Sequence, residues 1–281
     1  MQPNPDEIER IIASALEEDI GEGDITTELL IPAELNATLA IVAREPLVCC
    51  GIESVAARVF GALSPAAECT AQHADGKTVQ AGDVMATVRG PAQALLTAER
   101  TALNLLQRMC GVATLTHRYV KAVAGTKTEI LDTRKTMPGL RELDKYAVRA
   151  GGGHNHRMRL DDMVLIKDNH IALAGGMQEA IQRASRRAPT GMKIVVECDT
   201  LEQAELAISL GADRLLLDNM PPEMLQKAVA MANGRVPLEA SGGVNLQTVR
   251  AIAETGVDYI SIGAITHSAP SVDIGLDMRF H

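Results

Sequence analysis

Ionisable and glycine-rich clusters stand where apolar runs of this chain end, and their residue types suit a small, highly charged anion. After Ile130-Leu131 and Asp132, Thr133-Arg134-Lys135-Thr136 sets two cations beside two hydroxyls, a combination fitted to carboxylate or phosphate. Gly151-Gly152-Gly153-His154-Asn155-His156-Arg157 relaxes the backbone and then delivers two imidazoles and a guanidinium. His154-x-His156 could chelate zinc, but no cysteine and no H-E-x-x-H pattern accompanies it, so anion binding is the favoured reading. Lys167 closes Val164-Leu165-Ile166, which predicts a buried stem and an amine at the strand's carboxyl end. A lysine so placed also opens a competing class, the Schiff-base aldolases. Glu197 and Asp218 end their own apolar runs. Among so many cations they can hold Mg²⁺, bind ribose hydroxyls or stabilise a developing positive centre, and a structural ion pair with the lysines is the plainer alternative. Ser241-Gly242-Gly243-Val244-Asn245 opens into a helix, and Ser261-Ile262-Gly263 closes the next strand. Small residues there let backbone N–H groups approach a phosphate.

The elements that must position these groups fall into two textures. Up to about residue 110 helix and strand are mixed. Asp6–Glu18 reads as an amphipathic helix through Ile8, Ile11, Ile12, Ala15 and Leu16. Thr38–Arg44 and Pro46–Cys50 read as strands, Ile52–Leu63 as a helix, and Lys77–Arg89 as two short strands turning at Ala81-Gly82-Asp83. That last stretch has the look of a biotinyl-carrier hairpin but lacks the lysine between methionines, so it is read as scaffold. Pro91 starts a long helical pattern. From about residue 128 strands alternate with helices: Glu129–Leu131, Met163–Ile166, Ile194–Val196, Arg214–Leu217, Val236–Glu239 and Tyr259–Ile262, with helices over Leu201–Leu210, Pro222–Ala232 and Leu246–Glu254. Thr200 with Gln203 predicts a capping box, Asn245 a helix N-cap, and Gly211, Gly234 and Gly256 helix ends. Such alternation predicts a parallel sheet covered on both faces. Because the polar clusters gather at the carboxyl ends of the strands, a β/α barrel with its site at that edge is expected. An open doubly wound sheet is the alternative, disfavoured because no G-x-G-x-x-G follows the first strand.

Composition agrees with a small anionic substrate. The 281 residues carry 27 Lys and Arg against 36 Asp and Glu, a net charge of −9, which argues against a nucleic-acid surface. Phe60, Tyr119, Tyr146, Tyr259 and Phe280 are the whole aromatic complement, too few for a base-stacking platform. Yet Arg134–His170 holds eight cations and five acids, a local +3 inside an otherwise acidic chain. No apolar run approaches a membrane span. The acidic opening MQPNPDEIER is unlike a secretory leader, and Cys49, Cys50, Cys69, Cys110 and Cys198 include no C-x-x-C pair. A reducing cytoplasm is expected.

Longer blocks carry a resemblance. GDITTELL near the start, AERTALNLLQRMCGVAT at 98–114, LDTRKTMPGLRELDKYAVRAGGGHNHRMRL at 131–160 and LIKDNH at 165–170 are followed in order by VECDT, LLLDNM and EASGGV. Together they resemble the quinolinate phosphoribosyltransferases, the carboxylating nicotinate-nucleotide pyrophosphorylases of the type II phosphoribosyltransferase class, over nearly the whole chain. The resemblance implies an α/β fold. An N-terminal α/β sandwich domain spans residues 1–110, an open seven-stranded β/α barrel spans 111–267, and residues 268–281 return to the first domain. It implies quinolinate binding by Arg100, Arg134, His156, Arg157 and Lys167. Phosphoribosyl diphosphate falls to Lys135, Glu197, Asp218, Ser241-Gly242-Gly243 and Gly263, and Thr133, Ser261 and Ile262 are implied as further substrate-binding residues. Lys135, Lys167, Glu197 and Asp218 are implied as the catalytic set, with Mg²⁺ held mainly through the substrate diphosphate near Glu197 and Asp218. It further implies a homodimer, in some members a hexamer, in which Arg100 completes the partner's site. The expected reaction makes nicotinate mononucleotide, diphosphate and CO₂ for NAD biosynthesis. A monocarboxylate phosphoribosyltransferase and a non-enzymatic sugar-phosphate sensor remain as rivals.

Overall fold

The computed structural model describes residues 3–278, which divide into two compact units. One runs to His117 and adds Thr136–Gly152 and the chain from Ile265 onward; the other holds Arg118–Lys135 and Gly153–Ala264. This division differs from the expected one near residue 110. It falls inside a long helix and assigns residues 136–152 to the first unit. Two buried polar contacts explain that assignment. Tyr146 donates its hydroxyl to Asp75 Oδ2 at 2.5 Å, and Asp144 takes both ends of the Arg108 guanidinium at 2.9 and 3.0 Å.

In the first unit, α1 (Pro5–Ile20) starts with Asn4 accepting from the Asp6 N–H and Pro5 at the first turn, and it buries Ile8, Ile11, Ile12 and Leu16. A short α2 (Ile25–Leu30) is capped by Asp24. Then come β1 (Asn36–Ala43), β2 (Leu47–Val48), a π-helical turn Ile52–Ala56 running into α3 (Ala57–Leu63), β3 (Glu68–Ala71), β4 (Thr78–Val79) and β5 (Val84–Pro91). The final strand, Ile274–Met278, pairs antiparallel with β1, which pairs with β5, which pairs with β3. β4 pairs instead with β2. The hairpin expected over Lys77–Arg89 is therefore two strands in two different sheets: Gly82 donates to Ala43 O and turns the chain from one to the other. Residues 279–281, the end of the returning segment, lie outside the described residues.

The helix α4 (Ala92–Ala122) follows, then α5 (Arg141–Ala150). Gly111 on α4 faces Pro270, whose carbonyl oxygen would stand 2.0 Å from an added Cβ, so only glycine admits this approach.

The second unit is a parallel six-stranded sheet. Its strands are β6 (Glu129–Leu131), β7 (Val164–Ile166), β8 (Ile194–Cys198), β9 (Arg214–Asp218), β10 (Leu238–Ser241) and β11 (Tyr259–Ser261), in the order β6-β11-β10-β9-β8-β7. Helices α6 (Asp168–Ala174), α7 (Met177–Arg187), α8 (Leu201–Ser209), α9 (Pro222–Ala232) and α10 (Val249–Glu254) connect the later strands. The first strand pairs with the last, as in a closing barrel. On the free edge of β6 only one residue adds on, His154 bridging Leu131. The expected seven strands are thus six with a single bridge in the seventh place, and β7 is left as an open edge. Val196, Leu215, Leu217 and Ile260 are fully buried, as sheets covered on both faces require.

Thr200 accepts from the Gln203 N–H, but Gln203 answers the N–H of Asp199 instead of that of Thr200, so the capping box is half formed. Asn245 Oδ1 accepts from Gln247 and Thr248 one turn before α10 begins. Gly211, Gly234 and Gly256 all have left-handed φ just past their helices.

Candidate active site

The carboxyl ends of the barrel strands enclose a cavity of about 490 Å³. Thr133, Arg134 and Lys135 reach it from the loop after β6, Lys167 and Asp168 from the end of β7, and Glu197, Asp218, Ser241 and Ser261 from the next four strands. His156 and Arg157 enter from the segment that bridges β6, and Leu165 and Leu216 supply apolar wall. Parallel strands bring these residues together because each ends at the same edge of the sheet.

The wall carries four cations, Arg134, Lys135, Arg157 and Lys167, against four acids, Asp168, Glu197, Asp218 and Glu239, and two of the cations repel each other. Burial and the neighbouring Arg134 guanidinium lower the pKa of Arg157, with Asp162 opposing them. Arg134 Nε is buried without a hydrogen-bond partner. Two like charges held side by side are a destabilised pair that one dianion would relieve. Thr133 Oγ1 meanwhile accepts from the Lys135 N–H at 3.0 Å, fixing the loop that carries them.

Across the cavity, Lys167 Nζ donates to Glu197 Oε2 at 2.8 Å. The Lys167 side chain is 46% exposed, so the expected buried stem is not found. The residue starts the short helix α6, and its N–H is taken by His170 Nδ1. Its ammonium is committed to a carboxylate, which disfavours the Schiff-base reading. Burial raises the pKa of Asp218, Glu197 and Asp199 raise it further, and Lys167 and Lys135 pull it back.

Two further residues escaped the sequence reading, and the first of them, Glu239, is part of the cavity lining. Glu239 is completely buried on β10, 3.4 Å from His156 Nε2 and 3.1 Å from Arg214 Nη1. Arg214 in turn stacks 4.3 Å over the Tyr259 ring. Burial pushes the Glu239 carboxyl up, but His156, Ser261 and Arg214 together outweigh it and hold it below its ordinary value. The signal was present: an acid between Leu238 and Ala240. It was missed because the strand was expected at Val236–Glu239, which puts Glu239 at the rim. Pro237 lacks the N–H a ladder needs, and the strand starts at Leu238 instead. Asp132 is the second. Also fully buried, it accepts from the His156 N–H at 2.8 Å and from Asn155 Nδ2 at 2.6 Å. It thereby anchors the glycine-rich segment.

Other expected residues stand apart from the wall. Gly242 and Gly243 follow Ser241 in a turn with left-handed φ at both, Ile262 is buried, and Gly263 follows it. His154 is mostly exposed and stands 3.9 Å from Glu129, whereas His156 turns to Glu239. Among the described residues no group of three or more metal-ligating side chains forms. Arg100 belongs to the other unit, on α4, is not among the cavity-lining residues, and is 57% exposed with Glu99 4.0 Å away.

Residues 24–110 match the family described as quinolinate phosphoribosyl transferase, N-terminal domain, and residues 112–277 match its C-terminal domain. A nicotinate-nucleotide pyrophosphorylase [carboxylating] of Mycobacterium leprae is 46% identical over 274 residues, covering 95% of each chain. A probable enzyme of the same name from Bacillus subtilis is 42% identical, covering 93% of this chain and 90% of its own. Among solved structures, the nicotinate-nucleotide pyrophosphorylase from Francisella tularensis superposes with a TM-score of 0.94 at 39% identity, covering 98% of this chain and 97% of that one.

Proposed function

The chain belongs to the quinolinate phosphoribosyltransferase family, and from that membership we propose how its cavity performs the reaction. The enzyme joins quinolinate to 5-phosphoribosyl 1-diphosphate and releases nicotinate mononucleotide, diphosphate and CO₂. The observation that carries the substrate assignment is that Arg134, Arg157, His156 and Lys135 line one cavity, cationic groups enough for two carboxylates. A monocarboxylate such as nicotinate would leave one guanidinium unanswered.

Arg134, Arg157 and His156 hold the two carboxylates and aim the ring nitrogen. Lys135, Ser241 and the N–H groups of Gly242 and Gly243 take phosphate oxygens, joined by the Ser261-Ile262-Gly263 end of β11. The nitrogen lone pair forms the bond to ribose C1 as the C1–O bond breaks, and the electron pair leaves on diphosphate. Glu197 and Asp218 face the positive charge that grows at C1. The resulting pyridinium then accepts the electrons of the C2–carboxylate bond. CO₂ departs, and solvent returns a proton to C2. Lys167, tied to Glu197, neutralises the substrate carboxylate side of the cavity before transfer.

The donors present fit Mg²⁺ in one way. Glu197 and Asp218 are two carboxylates on one cavity wall, and among the described residues no group of three metal-ligating side chains forms, so Mg²⁺ would be held by these two together with oxygens of the substrate diphosphate. Bound there, Mg²⁺ supplies charge neutralisation for the leaving group. Chelation with EDTA should abolish turnover and Mg²⁺ restore it, while Tm without substrate stays unchanged. A drop in Tm on chelation would place a metal in the protein itself.

We also propose a homodimer in which Arg100 completes the partner's cavity, with a hexamer as a higher assembly. Its half-exposed guanidinium and the exposed Ile25, Leu29 and Leu30 of α2 support such an interface. A cytoplasmic location is supported by five free thiols, four of them buried. No helix among the described residues is long and apolar enough to cross a membrane. Incubation with quinolinate, phosphoribosyl diphosphate and Mg²⁺ tests the central reading: nicotinate mononucleotide must form, and its absence from correctly folded protein would overturn it.

A further inference from the structure

We infer that Asn219 is a positioning residue that locks the Asp218 carboxylate to the Ser241–Gly243 phosphate cup. The inference rests on the function proposed above, since it assigns both groups to one substrate.

Among the described residues only Asn219 and Asn233 are non-glycine residues with left-handed φ, at +54° and +45°. Asn233 follows helix α9, where that conformation is routine. Asn219 instead follows strand β9, at the edge that carries the site. There its conformation has no helix end to account for it.

Three contacts give it a purpose. The Asn219 N–H donates to Ser241 O at 2.8 Å, across to the neighbouring strand. Its Nδ2 donates to Asp218 Oδ2 at 2.6 Å. Its Oδ1 and Cγ would lie 2.2 and 2.5 Å from a Cβ on Gly242, so this side chain fills the space beside the glycine. One residue thus grips the acid of β9 with its amide, the end of β10 with its backbone, and the cup with its bulk. Asp218 has acidic neighbours in Glu197 and Asp199, and a neutral donor restrains its carboxylate without neutralising it. Left-handed backbone is what lets the side chain fold back to do this, and asparagine tolerates it better than most residues.

The test separates the amide from the backbone. Asn219→Gly keeps the left-handed turn and the N–H to Ser241 but removes the amide. Asn219→Asp keeps the shape, loses the donor and adds a charge beside Asp218. Both should lower kcat/KM for phosphoribosyl diphosphate by about 10- to 100-fold, aspartate more, with KM for quinolinate within about threefold and Tm within a few degrees. If Asn219→Gly matches wild type, the residue serves only the turn and the inference is overturned. Equal losses in both substrates would likewise overturn it, marking a general structural role. Wild-type protein that makes no nucleotide from quinolinate would instead sink the functional reading and this inference with it. Calorimetric titration of phosphoribosyl diphosphate into wild type and Asn219→Gly adds a readout free of turnover: unchanged affinity contradicts the positioning role.

Discussion

Arg157 shows most directly how charge and shape are both used. Its Nη1 donates to Met163 O at 3.1 Å, which leaves the rest of the planar fork for a carboxylate. Arg157→Lys keeps the charge and loses the fork, so kcat/KM for quinolinate should fall by about 2–4 kcal/mol of transition-state stabilisation. Activity within a few-fold of wild type would remove Arg157 from the substrate contacts. Glu239 lines the same cavity from β10. Its folded-state pKa lies below the ordinary 4.5, so its stabilisation is complete above that value and is lost as pH falls through the folded value. Urea unfolding of Glu239→Gln should therefore show lower stability at neutral pH and a shallower decline below pH 4.5 than wild type. Parallel profiles would mean that Glu239 is not held as an anion. Residue types at strand ends were enough to bring the cations and Asp218 to one cavity, because parallel strands end at one edge. Glu239 stayed hidden because its strand begins two residues later than Val236, and Asp132 because its value lies in the segment it holds, which no linear spacing expresses.

At the scale of elements, the packing of α5 on α4 depends on a buried ion pair. Arg100, Asn104 and Arg108 read as one polar face of α4, yet Arg108 is only 13% exposed and grips the fully buried Asp144 at both oxygens. It also donates to Thr266 O and to Ala269 O. Burial raises the pKa of Asp144 despite Arg108 and the Met137 N–H, so the pair spends much of its attraction on desolvation. Removing one partner should then be worse than removing both. Asp144→Ala is expected to cost about 3–5 kcal/mol in chemical unfolding, and Arg108→Met with Asp144→Leu less than either single change. Additive losses in that cycle would show the two groups to be independent. The period of α4 was legible from Pro91 to Met109, where one apolar stripe persists, and the helix runs on to Ala122. The helices α5 to α7 were not. α5 alternates charge and apolar residues, and α6 and α7 follow a strand with only a Gly175-Gly176 break between them. Their helicity is decided by packing, α5 against α4 and α7 against β7 and β8.

For the whole molecule, the parallel barrel was legible from alternation, and its open edge was not, since one bridging residue leaves no periodic trace. The proposed dimer has its own test. Arg100→Ala and Asp218→Ala should each be nearly inactive alone. After co-refolding, half of randomly mixed dimers carry one intact site of two, so activity should return to about a quarter of wild type. No recovery between subunits shown to exchange would confine Arg100 to its own chain. The central claim, that two adjacent guanidiniums select a dicarboxylate for phosphoribosyl transfer and decarboxylation, is tested most directly by one single-turnover experiment. Quinolinate labelled in its 2-carboxylate is mixed with enzyme, Mg²⁺ and phosphoribosyl diphosphate, and nucleotide and CO₂ are followed together beside a parallel run with nicotinate. Equal yields of nicotinate mononucleotide and labelled CO₂ from quinolinate, with nicotinate reacting at least about a hundredfold more slowly, are the predicted result. Nucleotide formed from nicotinate at a comparable rate, or from quinolinate with its label retained, would contradict it.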